Sequence, residues 1–532
     1  MTETMPYCIQ GKDASRRRSL LAKRLEELAA ARHELLLQLE ELDIQTRNVR
    51  LEYNELAPIS SLPDEVLTMI FEAGVLLEEL HEPRFALLVS HIARRWRGVV
   101  LAIPHLWNKI VWDIGLGLAM DERGEDFCPD LNQTDRAESW TKAKKKVAFF
   151  LSRSVSAPID IYIKRFSKVG LEHHYEATSE ILALLQAHFH RCRHLSFQAG
   201  APLSIKHVLG QVCSGPAPLI SSIDLGINHA YQEDFRIHVP LFPSGAPQLK
   251  TAQLDWIDVT SIRHCLEAFQ HLQSLRLIGI TLNDDDDNEI RASLANALIS
   301  MPVLNHLELN LYEASALYLP TLVQPTIQFL HIHAHHSNEV IQRFEAVSVT
   351  TLSVNYPKSS RSSDFALEGS LQANFPSLKH LILTSAEMRP SQLVSVSHKF
   401  SHIERLTCRV FDPVFDIGNV LDAIDAYFSL GDGYSGSLEL ADAASISIHW
   451  PKLHTIAASG LDPAIRDLPL DPRWDAQVSV LQAAGIPIRK LMLPPILVAQ
   501  TGEECMAKLR ELVEVKDFSL DWPTPFERFT GV

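Results

Sequence analysis

Between residues 19 and 57 the apolar positions keep to one side of a helix. Leu21, Leu25, Leu28, Leu35, Leu39, Leu42, Val49, Tyr53 and Leu56 follow alternating steps of four and three, with Arg32 and Thr46 filling the two gaps. No proline or glycine interrupts the run, so the spacing predicts one helix of about 55–60 Å. Two readings of its seam stay open. It pairs with a partner helix or a second copy of itself, or it folds back on its own chain or stands as a marginal single helix. Residues 1–18, ending in Arg16-Arg17-Arg18, read as a disordered, solvated tail.

Pro58 stops that helix. Pro63 suits a first helical position, with Asp64 and Glu65 in the turn where the helix dipole favours anions. Val66, Leu67, Ile70 and Phe71 follow at helical spacing. A second amphipathic helix is predicted over 84–101, its apolar face carrying Phe85, Leu88, Val89, Ile92, Trp96, Val99 and Val100. Pro104 ends it, and an extended stretch runs through Ile110, Val111 and Trp112. The segment 58–112 thus forms a small all-α unit, marginal on its own. Residues 113–139 are acidic and irregular and read as a linker. A helix over about 140–152 and a strand at Ile159–Ile163 follow.

From there to residue 532 a six-residue unit, apolar-x-x-apolar-x-apolar, recurs twelve times. The units start at Cys192, Ile220, Leu249, Leu272, Leu304, Ile327, Val349, Leu378, Ile403, Leu453, Ile488 and Val515. Most intervals are 22–35 residues; one of 50, from Ile403 to Leu453, has room for a degenerate unit at Ser435–Leu440. The second and third apolar residues of a unit lie two apart, so both leave the same face of a short strand. Stacking such strands in parallel buries them in one continuous core. Period and motif indicate leucine-rich repeats over 140–532, with segments such as Glu289–Ile299 and Val414–Phe428 as outer helices. The asparagine of tightly regular repeats is mostly absent, so uneven repeats are expected.

Composition narrows the chemistry. The 49 Lys and Arg against 65 Asp and Glu leave a net charge of −16, which disfavours non-specific binding to nucleic acid. No apolar run of about 18 residues would cross a membrane. The seven cysteines are odd in number, scattered and never at Cys-x-x-Cys spacing, which fits a reducing compartment, cytoplasmic or nuclear. Neither a phosphate loop nor a dinucleotide motif is present, and Gly433-Tyr-Ser435-Gly436 fails the nucleophile-elbow spacing. No catalytic residue, metal site or cofactor is expected. His331, His333 and His335 share a strand face, but no further ligand is identifiable. Asp284–Asp287 lacks the glycine and terminal Glu of a calcium loop.

The outward positions of the repeat strands are the more informative surface. His306, Glu308, Phe329, His331, His333, Ser353, Asn355, His380, Arg405 and Arg409 form a face mixing His, aromatic and Arg, suited to a protein target.

Residues 58–112 carry a familiar pattern. Pro58-Ile-Ser-Ser-Leu62-Pro63-Asp64-Glu65-Val66-Leu67 and Leu88-Val89-Ser90-His-Ile92-Ala93-Arg94-Arg95-Trp96-Arg97, closed by Ile103-Pro-His-Leu106-Trp107, resemble an F-box. With a helical coil before it and leucine-rich repeats behind it, the chain resembles the large F-box families of mushroom-forming fungi. Ala93 stands where many members have Cys. The resemblance implies a substrate-recognition subunit of an SCF-type cullin–RING ubiquitin ligase, without catalytic residues of its own. Its F-box would dock on the Skp adaptor of the cullin complex, with Leu62, Pro63, Val66, Leu67, Ile70, Phe71, Leu88, Val89, Ile92 and Trp96 as interface candidates. The competing reading is a leucine-rich-repeat scaffold without a ubiquitin role. Self-association through residues 21–56 is the further partner expectation.

Overall fold

The computed structural model describes residues 8–55, 57–78, 85–113, 119–120, 126–127, 133–166, 175–199, 208–227, 237, 240–256, 259–280, 288–311, 319–334, 337–355, 371–384, 396–409, 450–459, 474–483, 485–500, 502–518 and 525–526. They fall into two compact units, Met1–Ile103 and Pro104–Val532.

In the first unit, helix α1 spans Cys8–Glu55. It starts ten residues before the end of the tail expected to be disordered, where Lys12, Ala14 and Arg16–Arg18 are good helix formers. Its seam is not folded back: Leu21, Leu25, Leu28, Leu35, Leu39, Leu42, Val49 and Tyr53 are all exposed.

Helices α2 (Asp64–Leu76), α3 (Phe85–Ile92) and α4 (Arg94–Ala102) follow. Pro63 is the N-cap of α2 rather than its first helical residue; its carbonyl accepts from the Val66 and Leu67 amides, each at 3.1 Å. The single helix expected over 84–101 is two. Ala93 is extended (φ −144°, ψ 153°), and the Arg97 guanidinium donates to the Ser90 carbonyl at 2.7 Å, meeting a carbonyl at the end of α3. Leu67, Phe71, Val75, Ala86, Val89 and Val100 are buried. Gly74 lets Phe85 pack close, since a Cβ on it would lie 2.2 Å from the ring and the ring would have to shift.

Among the described residues, the second unit is built on one 14-stranded sheet in which each strand pairs in parallel with the next. The strands are β1 (Lys109–Asp113), β2 (Ile159–Phe166), β3 (Cys192–Ala199), β4 (Ser222–Ile227), β5 (Thr251–Asp255), β6 (Ser274–Ile280) and β7 (His306–Leu311). They continue with β8 (Phe329–His333), β9 (Thr351–Asn355), β10 (His380–Leu383), β11 (Arg405–Arg409), β12 (Thr455–Ser459), β13 (Lys490–Leu493) and β14 (Glu514–Asp517). The extended stretch expected to close the all-α unit is therefore β1 of the sheet, and the boundary falls after Ile103 rather than at residue 112. Trp107 begins the second unit's core, fully buried and edge-on to Phe149 and Phe150.

Register carries the repeat. Leu307, Leu330, Leu352, Leu381, Leu406, Ile456 and Leu491 are successive partners, and all are buried. The first apolar residues of those units, such as Leu304, Ile327 and Val349, are buried too. At the start of the strands, two successive amides donate to one carbonyl of the preceding repeat, as from Lys250 and Thr251 to Ser221 (2.9 and 3.2 Å) and from Glu404 and Arg405 to Lys379 (2.7 and 3.0 Å). The last unit is framed differently from the expectation. Val515, not Phe518, pairs with Leu491, and the third position is Asp517. Among the described residues β14 is the last strand of the sheet, so this position is not held in a row between two neighbours and its apolar signal is lost.

The acidic stretch 113–139 is not all linker: 119–120 pairs with 126–127, and helix α5 runs Gln133–Arg153. Buried Arg191 closes the end of α5, donating to Leu151 O at 3.1 Å, Ala157 O at 2.8 Å and Ser154 Oγ at 2.9 Å. The outer helix expected near 289–299 is Asn288–Ile299. Val414–Phe428 and Ser435–Leu440 lie outside the described residues, as do His335, His336 and Asp284–Asp287.

Candidate protein-docking surfaces

The helical unit separates the ten adaptor candidates by burial. Leu67, Phe71 and Val89 are core. Leu62 and Trp96 are half-buried, with the Trp96 ring 5.6 Å from that of Phe71. Pro63, Val66, Ile70, Leu88 and Ile92 are exposed, Leu88 and Ile92 by 61% and 60%. Met69, Leu76 and Leu77, which the motif did not single out, are exposed as well. That is a large apolar surface for a unit of three short helices. Arg95 braces the start of α2, donating to Asp64 Oδ1 through Nε (2.9 Å) and Nη2 (2.6 Å) and to the Leu62 carbonyl.

In the second unit the sheet face opposite the leucine rows is polar. The residues between the paired apolar positions are register partners: Ser196, Asp224, Gln253, Arg276, Glu308, His331 and Ser353. Strands about 4.8 Å apart bring such side chains into contact. Ser196 donates to Asp224 at 3.0 Å, and Gln198 reaches the same carboxylate. Arg276 donates to Gln253 Oε1 at 3.0 Å and Glu308 Oε2 at 2.6 Å. His306 Nε2 lies 2.7 Å from Glu308 Oε1. Farther along, His331 meets Ser353, Asn355 meets His333 and His380 meets Thr407.

The face expected to be open is partly covered. His306, Glu308, Phe329 and Ser353 are buried. His331, Asn355, His380 and Arg405 are half-buried, and His333 is exposed. Arg409 ends β11. Phe329 stacks on His306, their ring centroids 4.3 Å apart and nearly parallel, and packs with Ile382.

Two carboxyls on this face have opposite fates. Burial pushes Glu308 up, but the His306 hydrogen bond and the Arg276 charge outweigh it and hold the carboxyl well below the usual range. Asp255 is driven the other way. Burial and the neighbouring Asp224 carboxylate raise it well above its ordinary value of 3.8, against the pull of Gln253 and Arg276. The residue is half-buried as a whole, but its Oδ1 is inaccessible and has no hydrogen-bond partner.

Burial pushes the Cys265 and Cys408 thiols up to about 12, which suppresses the thiolate. Among the described residues, Cys192, Cys213, Cys265, Cys408 and Cys505 form no disulfide. Among the described residues, no three His, Cys, Asp or Glu are placed to hold a metal ion, and no helix is long and apolar enough to cross a membrane.

Sequence reasoning missed Arg276, Gln253 and Asp224. They occupy the same motif position as Glu308 in earlier repeats, so the signal was there. Two further residues reach this face from beyond the last repeat. Phe526 lies under the Arg276 guanidinium, 4.5 Å from the ring centroid, and edge-on to His306 at 5.8 Å. Phe518 lies 5.3 Å from the Arg405 guanidinium. No motif marks Phe526, and Phe518 is expected as a core position of the last unit rather than on this face.

No protein-family model matches the sequence, and no curated protein matches it. Among solved structures, the leucine-rich repeat-containing protein LegL7 from Legionella pneumophila is similar at 14% identity and a TM-score of 0.35, over 60% of this chain and 97% of that one. A Bacteroides fragilis protein is similar at 15% identity and a TM-score of 0.28, over 52% and 68%. These likenesses are loose, and the fold stands on the chain's own strand order and register. It is an α/β leucine-rich-repeat-type solenoid preceded by a helical unit.

Asp255→Asn is expected to stabilise the second unit near neutral pH, because it removes a charge that burial and the Asp224 carboxylate disfavour. A raised carboxyl makes the folded state hold its proton between 3.8 and the raised value, so wild-type stability falls as pH climbs through that window. The variant's advantage should therefore vanish below pH 3.8 and grow upward, as read by urea midpoints across pH. An advantage independent of pH would contradict the assignment.

Proposed function

We propose that this chain is the substrate-recognition subunit of an SCF-type cullin–RING ubiquitin ligase, with no catalytic group of its own. The helical unit takes the Skp adaptor and the repeat sheet face takes a target protein. One observation carries the reading. The Leu62-Pro63-Asp64-Glu65-Val66-Leu67 stretch and the Leu88–Arg97 stretch, which resemble an F-box, leave Val66, Ile70, Leu88 and Ile92 uncovered while Leu67, Phe71 and Val89 hold the unit together. A receptor of this kind works by holding a target lysine near charged ubiquitin, which raises effective concentration without new chemistry. The cytoplasm or nucleus is its expected place. A leucine-rich-repeat scaffold without a ubiquitin role needs only the sheet face and predicts no adaptor binding.

Ile70→Asp with Leu88→Asp is expected to weaken adaptor binding about 30-fold or more, the scale of lost hot-spot residues, with helical circular dichroism unchanged. Leu67→Ala should instead melt the unit. A well-folded wild-type chain that ignores the adaptor would leave the scaffold reading.

On the sheet face, Arg405→Glu with Arg409→Glu is expected to cut target recovery at least tenfold when ubiquitin transfer is blocked in cells. Unchanged recovery would remove this face from target capture.

The uncovered α1 seam supports pairing with a second copy through residues 21–56. Sedimentation should show a dimer for wild type and a monomer for Leu28→Glu with Leu35→Glu. A wild-type monomer at tens of micromolar would end that part of the proposal.

A further inference from the structure

The sheet face around Arg276 and His306 holds a ring that does not come from the repeats. Phe526 is only 8% exposed. Its ring lies 4.5 Å from the Arg276 guanidinium and 5.8 Å from the His306 ring, tilted 63° to the latter. Both orientations suit an aromatic side chain, whose face attracts cations and whose edge seeks another ring.

The receiving groups are fixed in advance. Glu308 holds Arg276 at 2.6 Å and His306 at 2.7 Å, while Phe329 stacks on the His306 ring. Arg276 and Glu308 are largely buried, so neither loses much freedom when a ring arrives.

The same segment touches the face a second time. Leaving β14, the Phe518 amide donates to the Leu493 carbonyl at 2.7 Å, and its ring lies under Arg405 of β11. From β11 to β6 is five strand steps, about 24 Å at 4.8 Å each. Phe526 comes eight residues after Phe518, a reach of roughly 26–29 Å. The chain is thus long enough to place one phenylalanine on β11 and the next on β6 and β7.

We propose that Arg276, His306 and Phe329 form a docking pocket for an aromatic side chain, and that the chain's own C-terminal segment, through Phe526, occupies it in competition with an aromatic-bearing target peptide. The proposal rests on the reading that this face captures a target. Of the residues expected to bind that target, His306, Glu308, Phe329 and Arg405 are the ones the segment meets directly or through their partners. An occupant tethered to its own site has an effective concentration near millimolar. The face then responds to an external peptide only in proportion to the fraction of molecules whose tail is released.

The test uses the full chain and a fluorescent peptide of residues 518–532. Fluorescence anisotropy is expected to show the Phe526→Ala chain binding this peptide at least tenfold more tightly than wild type does. The same peptide carrying Ala at position 526 should bind neither chain. That control leaves the protein untouched, so it holds even where Arg276→Gln, which strands the buried Glu308 carboxylate, fails to fold. Equal binding to wild type and Phe526→Ala, weak or tight, would overturn the tail as occupant. Undiminished binding of the Ala-bearing peptide would overturn the aromatic pocket. Because the assay needs no target, these failures leave target capture standing. Conversely, unchanged target recovery by the Arg405→Glu, Arg409→Glu chain would remove target capture and leave the peptide result intact.

Discussion

Everything in the second unit follows from the in-register burial of two apolar residues per strand. A single short strand such as Phe329–His333 cannot hide Leu330 and Ile332 by itself. Paired in parallel with β7 and β9, it lines them up with Leu307 and Leu309 on one side and Leu352 and Val354 on the other. The row is then continuous and every member is dry. Register is not negotiable under this constraint, because a slip of one residue would exchange the leucines for Glu308, His331 and Ser353.

That choice determines the opposite face. Once the leucines are fixed, the residues between them are brought side by side at strand spacing. Polar groups in that position either find one another or lose water without compensation. Most find one another. Ser196 meets Asp224, Gln253 meets Arg276, and Glu308 is shared by Arg276 and His306. Asp255 is one exception, with one oxygen left over beside a second carboxylate. A face organised in this way presents cations and rings whose positions are already set, which is what a docking surface requires.

The leucine rows were legible in the sequence because burial demands one residue class at fixed spacing. The end of the array was not, since Asp517 sits on the last strand of the sheet among the described residues, outside any row held between two neighbours. The break between α3 and α4 was also hidden. Ala93 is among the best helix formers, and only the tertiary bond from Arg97 to Ser90 reveals the turn. On the sheet face, the outward positions could be named from alternation alone. Which of them touch could not, because Arg276 and Glu308 are 32 residues apart in the chain and become neighbours only through register. Phe526 left no trace at all, since a ring outside the repeat period obeys no spacing rule.

The helical unit shows the same limit from another direction. Val66 and Leu67 are adjacent, both apolar and both part of the F-box-like stretch, yet Leu67 is fully buried and Val66 is not. A motif of this kind mixes two selective demands, cohesion and contact, in residues of one class. Hydrophobicity reports their sum, and burial divides it. With three helices there are too few interior positions to take every apolar side chain, so Ile70, Leu88 and Ile92 stay outside. Leaving them in water forfeits about 25 cal/mol for each Å² that burial would have removed. A unit this small gains nothing for its own stability from such residues, and a covering partner would return what folding alone leaves unused.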